Sequence, residues 1–575
     1  MGRHTPRGFT LKSPPFLVSC NSMKKIIFAL LAFALCATLS AQTYESRHNM
    51  ELKKYLDIFT DLYLELDNSY VDTLDVARDI KNAAGYMLEQ LDPYTELYTE
   101  EDAEDLTQIT TGKYAGIGSI ISFSKKEQRC IIADPYEGMP AAEAGLLPGD
   151  VILAQDGVEY GAPEKDKIGE YNSKVSKSLR GDAGTEFQLT VRRPGQKEPF
   201  TVTLHRRTIA LPNIGLSKLL KDSVGYVLIN SYTETTSRDV RRSVLELKER
   251  GAKGIILDLR DNPGGLLSQA VSVCNLFLPR GKEIVTLRGK MQNEVYKTKD
   301  EPIDVEIPLA VLINYGSASA AEITSGALQD YDRAVIVGQR SYGKGLVQHP
   351  VQLSHNAVLK VTSSKYYIPS GRCIQAYSYK DGVPQHLPDS LAKLFFTESG
   401  RAVRDGGGIT PDIQVPVDSL PALFAYLESS DELYEWCSRY RAKHETVAAA
   451  ADFSLTDAEY EDFKTYLQEQ KFTYDTRSKT VLELLKQVIS ADGYDDVAGE
   501  QIRSLEEKLA HNFDYDFEKW KPEIKRLVET RLMGYYYYQR GSAEHRLIAD
   551  KVLDEAVGIL TSPVRYKRML KAPER

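Results

Sequence analysis

Six cysteines in 575 residues, none in a CxxC spacing, give this chain no disulfide framework and no recognisable metal site. Cys20 and Cys36 fall in a segment read below as removable. Cys130, Cys274, Cys373 and Cys437 stand far apart in apolar or strand-like surroundings, as buried thiols do. Basic runs are absent as well: 72 lysines and arginines face 81 acidic residues, a mild net charge of -9, and no basic stripe marks a nucleic-acid partner. The chain also lacks internal repeats and low-complexity linkers, and none of its nine histidines stands in a catalytic motif. Chemistry built on a metal, or on a histidine placed beside a nucleophile, therefore has no support in the residue pattern.

One strongly apolar run is present. MKKIIFALLAFALCATLSAQTYE, from Met23, has two lysines in front and small residues at its end. That order is a secretory signal, too short and wrongly flanked for a membrane span. Cleavage is expected after Ala41, with 23–41 the leader and 1–22 an extension upstream of a true start at Met23. The mature protein is then exported, periplasmic or associated with the cell envelope.

The length implies three or four domains. Within 42–105, apolar residues recur every three or four positions from Met50 to Leu91 with a break near Asn68, which predicts a helical hairpin. Within 106–208, short runs such as RCIIAD, DVILAQDG and FQLTVRR alternate with Gly, Pro and Asp turns, the texture of a small β-rich domain. Region 209–418 repeats apolar strand, Gly-rich turn and helix; VGYVLIN, GIILDLR, LAVLINY and AVIVG read as strands covered on both faces. Region 419–575 is helical, charged and tyrosine-rich, and its run Tyr535 to Tyr538 reads as a helix face. The fold class is multidomain α+β: an α/β core with a mixed sheet covered by helices, an inserted β-rich domain, and helical N- and C-terminal regions. The terminal helices have apolar stripes with no evident place in the core, and are expected to cover it or to join two protomers.

Three turns in the core carry candidate chemistry. In LAVLINYGSASAAEITSGALQD a strand ends near Asn314 and a helix starts at Ala320, so Ser319 stands where free N–H groups and the helix dipole favour negative charge. Ser317 and Ser325 are worse placed. On this turn alone, an N-cap without chemistry is the simpler reading. In SYGKGLVQ, Lys344 lies between glycines; a buried, neutral lysine can serve a serine as base. Gln348, four residues on, can orient the amine without adding charge, although a solvated loop lysine fits the same spacing. In GIILDLRDNPGGLLSQA, an N–H of Gly264 or Gly265 can pair with that of Ala320 to hold an oxyanion. That turn lacks the GxxxxGKS/T and GxGxxG spacings of phosphate loops, and an ordinary strand-to-helix turn accounts for it equally.

Taken together these stretches resemble the carboxyl-terminal processing peptidases, tail-specific serine proteases with a Ser–Lys dyad. GSASAAEITSGALQD, SYGKGLVQ, LDLRDNPGG, KYYIPSGRCIQ and GGGITPDI are similar to core motifs of that family, and LDPYTELY, Leu91 to Tyr98, is similar to the stretch before its PDZ domain. The resemblance implies Ser319 as nucleophile, Lys344 as general base and Gln348 as its orienter. It makes 209–418 the protease core and 106–208 a PDZ domain, with YAGIGSII as the carboxylate-binding loop. There Gly116, Ile117, Gly118, Ser119 and Ile120 would hold the tail of a protein or peptide substrate through successive N–H groups and an edge strand. No metal or organic cofactor is implied. A homodimer and an activating or adaptor protein are further partners left open. The rival reading is a non-catalytic PDZ scaffold on a protease-like core, and the joint presence of Ser319, Lys344 and Gln348 speaks against it.

Overall fold

The apolar runs of the core become a six-stranded sheet in the computed structural model, which describes residues 47–102, 113–290, 293–416, 420–509 and 513–572. The expected extension and leader, 1–22 and 23–41, lie outside the described residues. Strand order is Ile214–Leu219, Val224–Ile229, Gly254–Asp258, Leu309–Ile313, Val335–Gly338 and Ile413–Gln414; the first pair is antiparallel and the others are parallel. Gly254–Asp258 and Leu309–Ile313 are buried at every position, because both faces are covered. On one face, helices Thr236–Glu249, Leu267–Asn275 and Ala320–Asp330 contribute Val240, Ala270 and Ala327 to one hydrophobic core. On the other, helix Lys551–Leu560 lays Val552, Leu553, Ala556 and Ile559 against Ile256, Leu312 and Val337. The last long helical stretch of the chain is therefore part of the core's own packing. Arg260 fastens it polarly by pairing with Asp550 at 2.7 Å and with Asp258 at 2.5 Å.

A second, antiparallel sheet is centred on Val358–Tyr367, flanked by Leu346–Gln352 and Glu283–Gly289, and takes Glu96–Tyr98 as an added strand. The β-rich domain has a six-stranded sheet in which Ser119–Ser124, Arg129–Pro135, Val151–Gln155, Glu186–Arg192 and Phe200–His205 follow in that order and Val158–Glu159 pairs with Val151–Gln155, with helix Ile168–Leu179 packed on it through Tyr171, Val175 and Leu179. It leans on the C-terminal helices: Tyr434 is buried with Ile131 and Val151, Lys126 pairs with Glu435 at 2.6 Å, and Gln539 donates to the Pro135 carbonyl at 3.0 Å.

Those helices enclose a core of their own around Trp436, Tyr460, Phe463, Phe517 and Leu532. The tyrosine run differs from the expected helix face. Helix Lys521–His545 kinks at Tyr537 and Tyr538, the latter at φ 53°, while Tyr535, Tyr536 and Tyr537 donate to the carbonyls of Tyr434, His444 and Val447. Hydroxyls that find buried carbonyls override the helical period. Among the described residues, Cys130, Cys274 and Cys437 are buried free thiols, while Cys373 is half-buried.

At the N-terminal side, the described residues 47–86 belong to a unit distinct from the one beginning at Met87. It holds a helix over 47–69 and most of helix Val76–Glu89, so the expected break falls beside Asn68. Leu56, Phe59 and Leu62 on the first helix are exposed.

Candidate active site

Parallel pairing brings the three candidate turns together. Asp258 is in register with Leu312, and Ile313 with Gly338, so the turns following these three strands emerge side by side at one edge of the sheet. Ligands of open α/β sheets bind at this carboxyl end. Hydrogen bonds then join the first two turns: Ala318 N–H to the Asn262 carbonyl at 2.9 Å, Asp261 N–H to Asn314 Oδ1 at 2.9 Å, and Ser317 Oγ to the Leu259 carbonyl at 2.7 Å. Ser317 is fully buried in that tie and Ser325 Oγ donates within its helix to Ala321, whereas Ser319 is half-buried and reachable.

Ser319 occupies a backbone conformation that side-chain-bearing residues seldom adopt, φ 54° and ψ -115°. Such strain costs about 1–3 kcal/mol and persists only where the surroundings over-determine it. Here Glu322 supplies much of the restraint. Its fully buried carboxylate accepts from Ser319 N–H at 2.9 Å, Lys344 N–H at 2.8 Å, Gly343 N–H at 2.7 Å and Ser341 Oγ at 2.5 Å. Burial pushes this carboxyl up to about 7 despite those four donors. From the other side, the Tyr366 hydroxyl donates to the carbonyls of both Lys344 and Ser319, the latter at 3.2 Å. One carboxylate and one phenol therefore clamp the serine turn to the lysine loop through the backbone.

The glycine turn touches the serine directly. A Cβ on Gly264, at φ 98°, would lie 2.8 Å from Ala320 N and from Ser319 Cβ; one on Gly265, at φ 135°, would lie 2.2 Å from the Tyr232 carbonyl oxygen. Only glycine fits at either position. Gly264 N–H already donates to Asn262 Oδ1 at 2.8 Å. Among the hydrogen bonds of the described residues, none uses the N–H of Gly265 or of Ala320.

Lys344 is mostly buried, and burial, helped by the nearby charge of Lys360, lowers its pKa. Its ammonium lies 4.1 Å from the centroid of the Tyr94 ring. No hydrogen bond joins it to Ser319 Oγ or to Gln348. The Gln348 amide donates instead to Thr362 Oγ1 at 3.2 Å, which donates in turn to Asp92 Oδ1 at 3.2 Å. Backbone proximity is thus built in, while the amine, hydroxyl and amide tips are not hydrogen-bonded to one another.

In the β-rich domain, Gly116 ends a ladder with Arg207–Ala210, Ile117 is buried, Gly118 turns at φ 68°, and Ser119 opens the strand on which Ile120 is exposed. Beside this loop is a cavity of about 240 Å³ lined by Tyr114, Ile117, Ile121, Leu179 and Arg180. The Arg180 guanidinium lies 5.5 Å from the centroid of the Tyr114 ring.

Sequence reading passed over Glu322, Tyr366, Tyr94 and Arg180. Glu322 was spelled out by Ser-Ala-Ala-Glu, a capping box that places the glutamate at the third helical position. The others had no local signal.

An α/β core whose strand-end turns converge on a strained serine, preceded by a small β-rich domain, has the layout of a PDZ-bearing peptidase. Comparison with known proteins agrees. Residues 223–388 match "Peptidase family S41", 117–204 match "PDZ domain", and 423–560 match "Probable PDZ-protease, C-terminal helical domain". The "Carboxy-terminal-processing protease" of Bartonella bacilliformis is 36% identical over 377 residues, 64% of this chain and 84% of that protein. A "Probable CtpA-like serine protease" of Staphylococcus aureus is 33% identical over 336 residues, 58% of this chain and 65% of that protein. Among solved structures, a photosystem II D1 C-terminal processing protease aligns at 25% identity and a TM-score of 0.35, over 61% of this chain and 85% of that one. The chain belongs to the carboxy-terminal-processing, PDZ-containing branch of peptidase family S41.

Proposed function

We propose that the protein is an exported serine endopeptidase that captures the C-terminal tail of a protein substrate in its PDZ domain and cleaves it through an acyl-enzyme on Ser319. The observation that carries this reading is the strained Ser319 with the unused N–H groups of Ala320 and Gly265 beside it, clamped by Glu322 to the loop of a lysine whose pKa is lowered.

In the acylation step Ser319 Oγ attacks the scissile carbonyl carbon while neutral Lys344 takes the hydroxyl proton. The oxyanion forms against the N–H groups of Ala320 and Gly265. Collapse breaks the C–N bond, and the departing amine takes the proton back from Lys344. Water then attacks the ester, with Lys344 again accepting a proton, and the new carboxyl product leaves as Ser319 is regenerated. Gln348, held by Thr362 through its amide nitrogen, has a carbonyl oxygen with which to receive the lysine when it swings toward the serine. In the PDZ domain, the loop from Gly116 to Ile120 and the Arg180 guanidinium offer N–H donors and a positive charge to a terminal carboxylate, and the cavity beside them, lined in part by Ile117, Ile121 and Leu179, takes the last side chain.

Replacing Ser319 by alanine tests the assignment. Turnover of an unfolded protein substrate, followed by mass-mapping of fragments, should disappear while the folded state and tail binding remain. A Ser319→Ala protein that still cuts would leave the nucleophile elsewhere. A native protein that binds tails without cutting would return the scaffold reading.

A further inference from the structure

The segment Leu91 to Tyr98 sits against the lysine loop, and no role in the reaction has been assigned to it above. Asp92 Oδ1 accepts from the N–H groups of Tyr94 and Thr95 at 2.8 and 2.9 Å, which fixes the turn. Glu96–Tyr98 then pairs with Val358 to Lys360, anchoring the segment to the second sheet. Between these anchors Tyr94 projects over Lys344, its ring centroid 4.1 Å from Nζ. Its hydroxyl is held 3.3 Å from that of Tyr342, two residues before Lys344, and 3.4 Å from that of Tyr379. The ring is thus fixed at both ends and is the aromatic face that covers the amine.

We infer that Tyr94 is a positioning residue for the reaction: its ring shields the Lys344 amine from water and gives it a resting place off the serine. This rests on the dyad reading above. A ring face over an ammonium has two opposed effects, since its electrons favour the charge whereas its bulk excludes water. The exclusion is larger here, because the net direction for Lys344 is downward with burial as the leading cause. The charged groups facing the amine are Lys360 from the neighbouring strand, Glu96 and Asp92 from the segment itself, and Glu322 from the nucleophile helix; the tyrosine hydroxyls around it are neutral. None of these is removed when the Tyr94 ring is trimmed, so a changed pH response reports the ring.

The test is the pH dependence of Ser319 labelling by a fluorophosphonate, which needs no knowledge of the natural substrate. The base must be neutral to act, so labelling rises with pH through the lysine's pKa. Tyr94→Ala admits water and should move that limb up by at least about one pH unit, a tenfold slower reaction at a fixed pH on the limb. Tyr94→Phe keeps the ring and should superimpose on the native curve. The limb of Glu322, expected near 7, does not involve Tyr94 and should stay in place. A folded Tyr94→Ala protein with the native curve overturns the inference, as does a Tyr94→Phe curve displaced as far as that of alanine. Should the alanine variant not fold, Tyr94→Leu is read the same way, since leucine covers less of the amine. Lys344→Ala separates the two claims. If it labels at the native rate the dyad itself is wrong, whereas a slow Lys344→Ala beside a native-like Tyr94→Ala removes only the role of Tyr94.

Discussion

Glu322 is the side chain whose removal the structure makes most informative. Its two oxygens accept four donors in a fully buried site, and two of those donors are the N–H groups of Ser319 and Lys344. Glu322→Ala orphans all four, at about 1–3 kcal/mol for each buried group left unmade. Loss of a carboxyl raised by burial to about 7 returns about 3 kcal/mol, and water entering the space returns more. A local deficit of about 1–9 kcal/mol, less what water returns, remains on a turn already strained at Ser319. At about 1.4 kcal/mol per tenfold, about 2 kcal/mol of that deficit is enough to lower registry between serine and lysine by about 30-fold. Glu322→Gln is milder. Its amide nitrogen can replace Oε1, where Ser341 Oγ exchanges donating for accepting, and its oxygen can keep the Ser319 and Lys344 contacts. Gly343 N–H is then the one backbone donor left orphaned, a cost of about 1–3 kcal/mol. Fluorophosphonate labelling and kcat/KM on an unfolded protein substrate, beside a melting curve, should rank native above glutamine and glutamine well above alanine. A folded alanine variant within a few-fold of native rate would refute the clamp, and so would a glutamine variant as impaired as alanine.

Lys344→Arg keeps the charge but cannot be deprotonated, so labelling and turnover should vanish; residual activity above about 1% of native would count against a lysine base. Lys360→Ala removes a like charge near Lys344 and frees Glu96, its ion-pair partner, so the acid limb should move to higher pH; a limb displaced downward would contradict the sign assigned to Lys360. Amidating a substrate's C-terminus removes the carboxylate charge and should weaken dilute-substrate processing by at least about tenfold, the factor that 1.4 kcal/mol represents. Equal cleavage of acid and amide would leave the PDZ domain as a lid or spacer.

What the sequence disclosed and what it withheld divide along chain distance. Ser319, Lys344 and the Gly264-Gly265 turn each sit where a strand gives way to a turn, a local pattern, and parallel pairing of neighbouring strands then assembled them without further information. Ser317 could be ranked below Ser319 from its place in the turn, but its burial against the Leu259 carbonyl appears only once the adjacent strand is in register. Glu322 lies among apolar helix residues and reads as a cap; its second pair of donors comes from Ser341 and Gly343, about twenty positions later. Tyr366 reaches the lysine loop from a strand of a different sheet and Tyr94 from the turn before another of its strands, and no periodicity encodes that. The kink at Tyr538 was hidden because a positive φ in a non-glycine residue leaves no mark on a helical pattern.

The surroundings of Lys344 bear on the proposal that a lysine takes a role more often filled by histidine. Three carboxylates lie near enough to hold it charged, and each is engaged elsewhere. Glu96 is paired with Lys360, whose own positive charge opposes that of Lys344. Asp92 is occupied by two backbone N–H groups and by the hydroxyls of Thr95 and Thr362. Glu322 directs its oxygens at N–H groups and at Ser341, so it meets the lysine residue through its backbone and not its amine. With the hydrogen bonds of these anions made elsewhere, the amine lies over the Tyr94 ring, which excludes water without supplying a full negative charge. The lowered pKa of Lys344 is therefore compatible with three nearby carboxylates because their hydrogen bonds go elsewhere, and does not need an absence of acids.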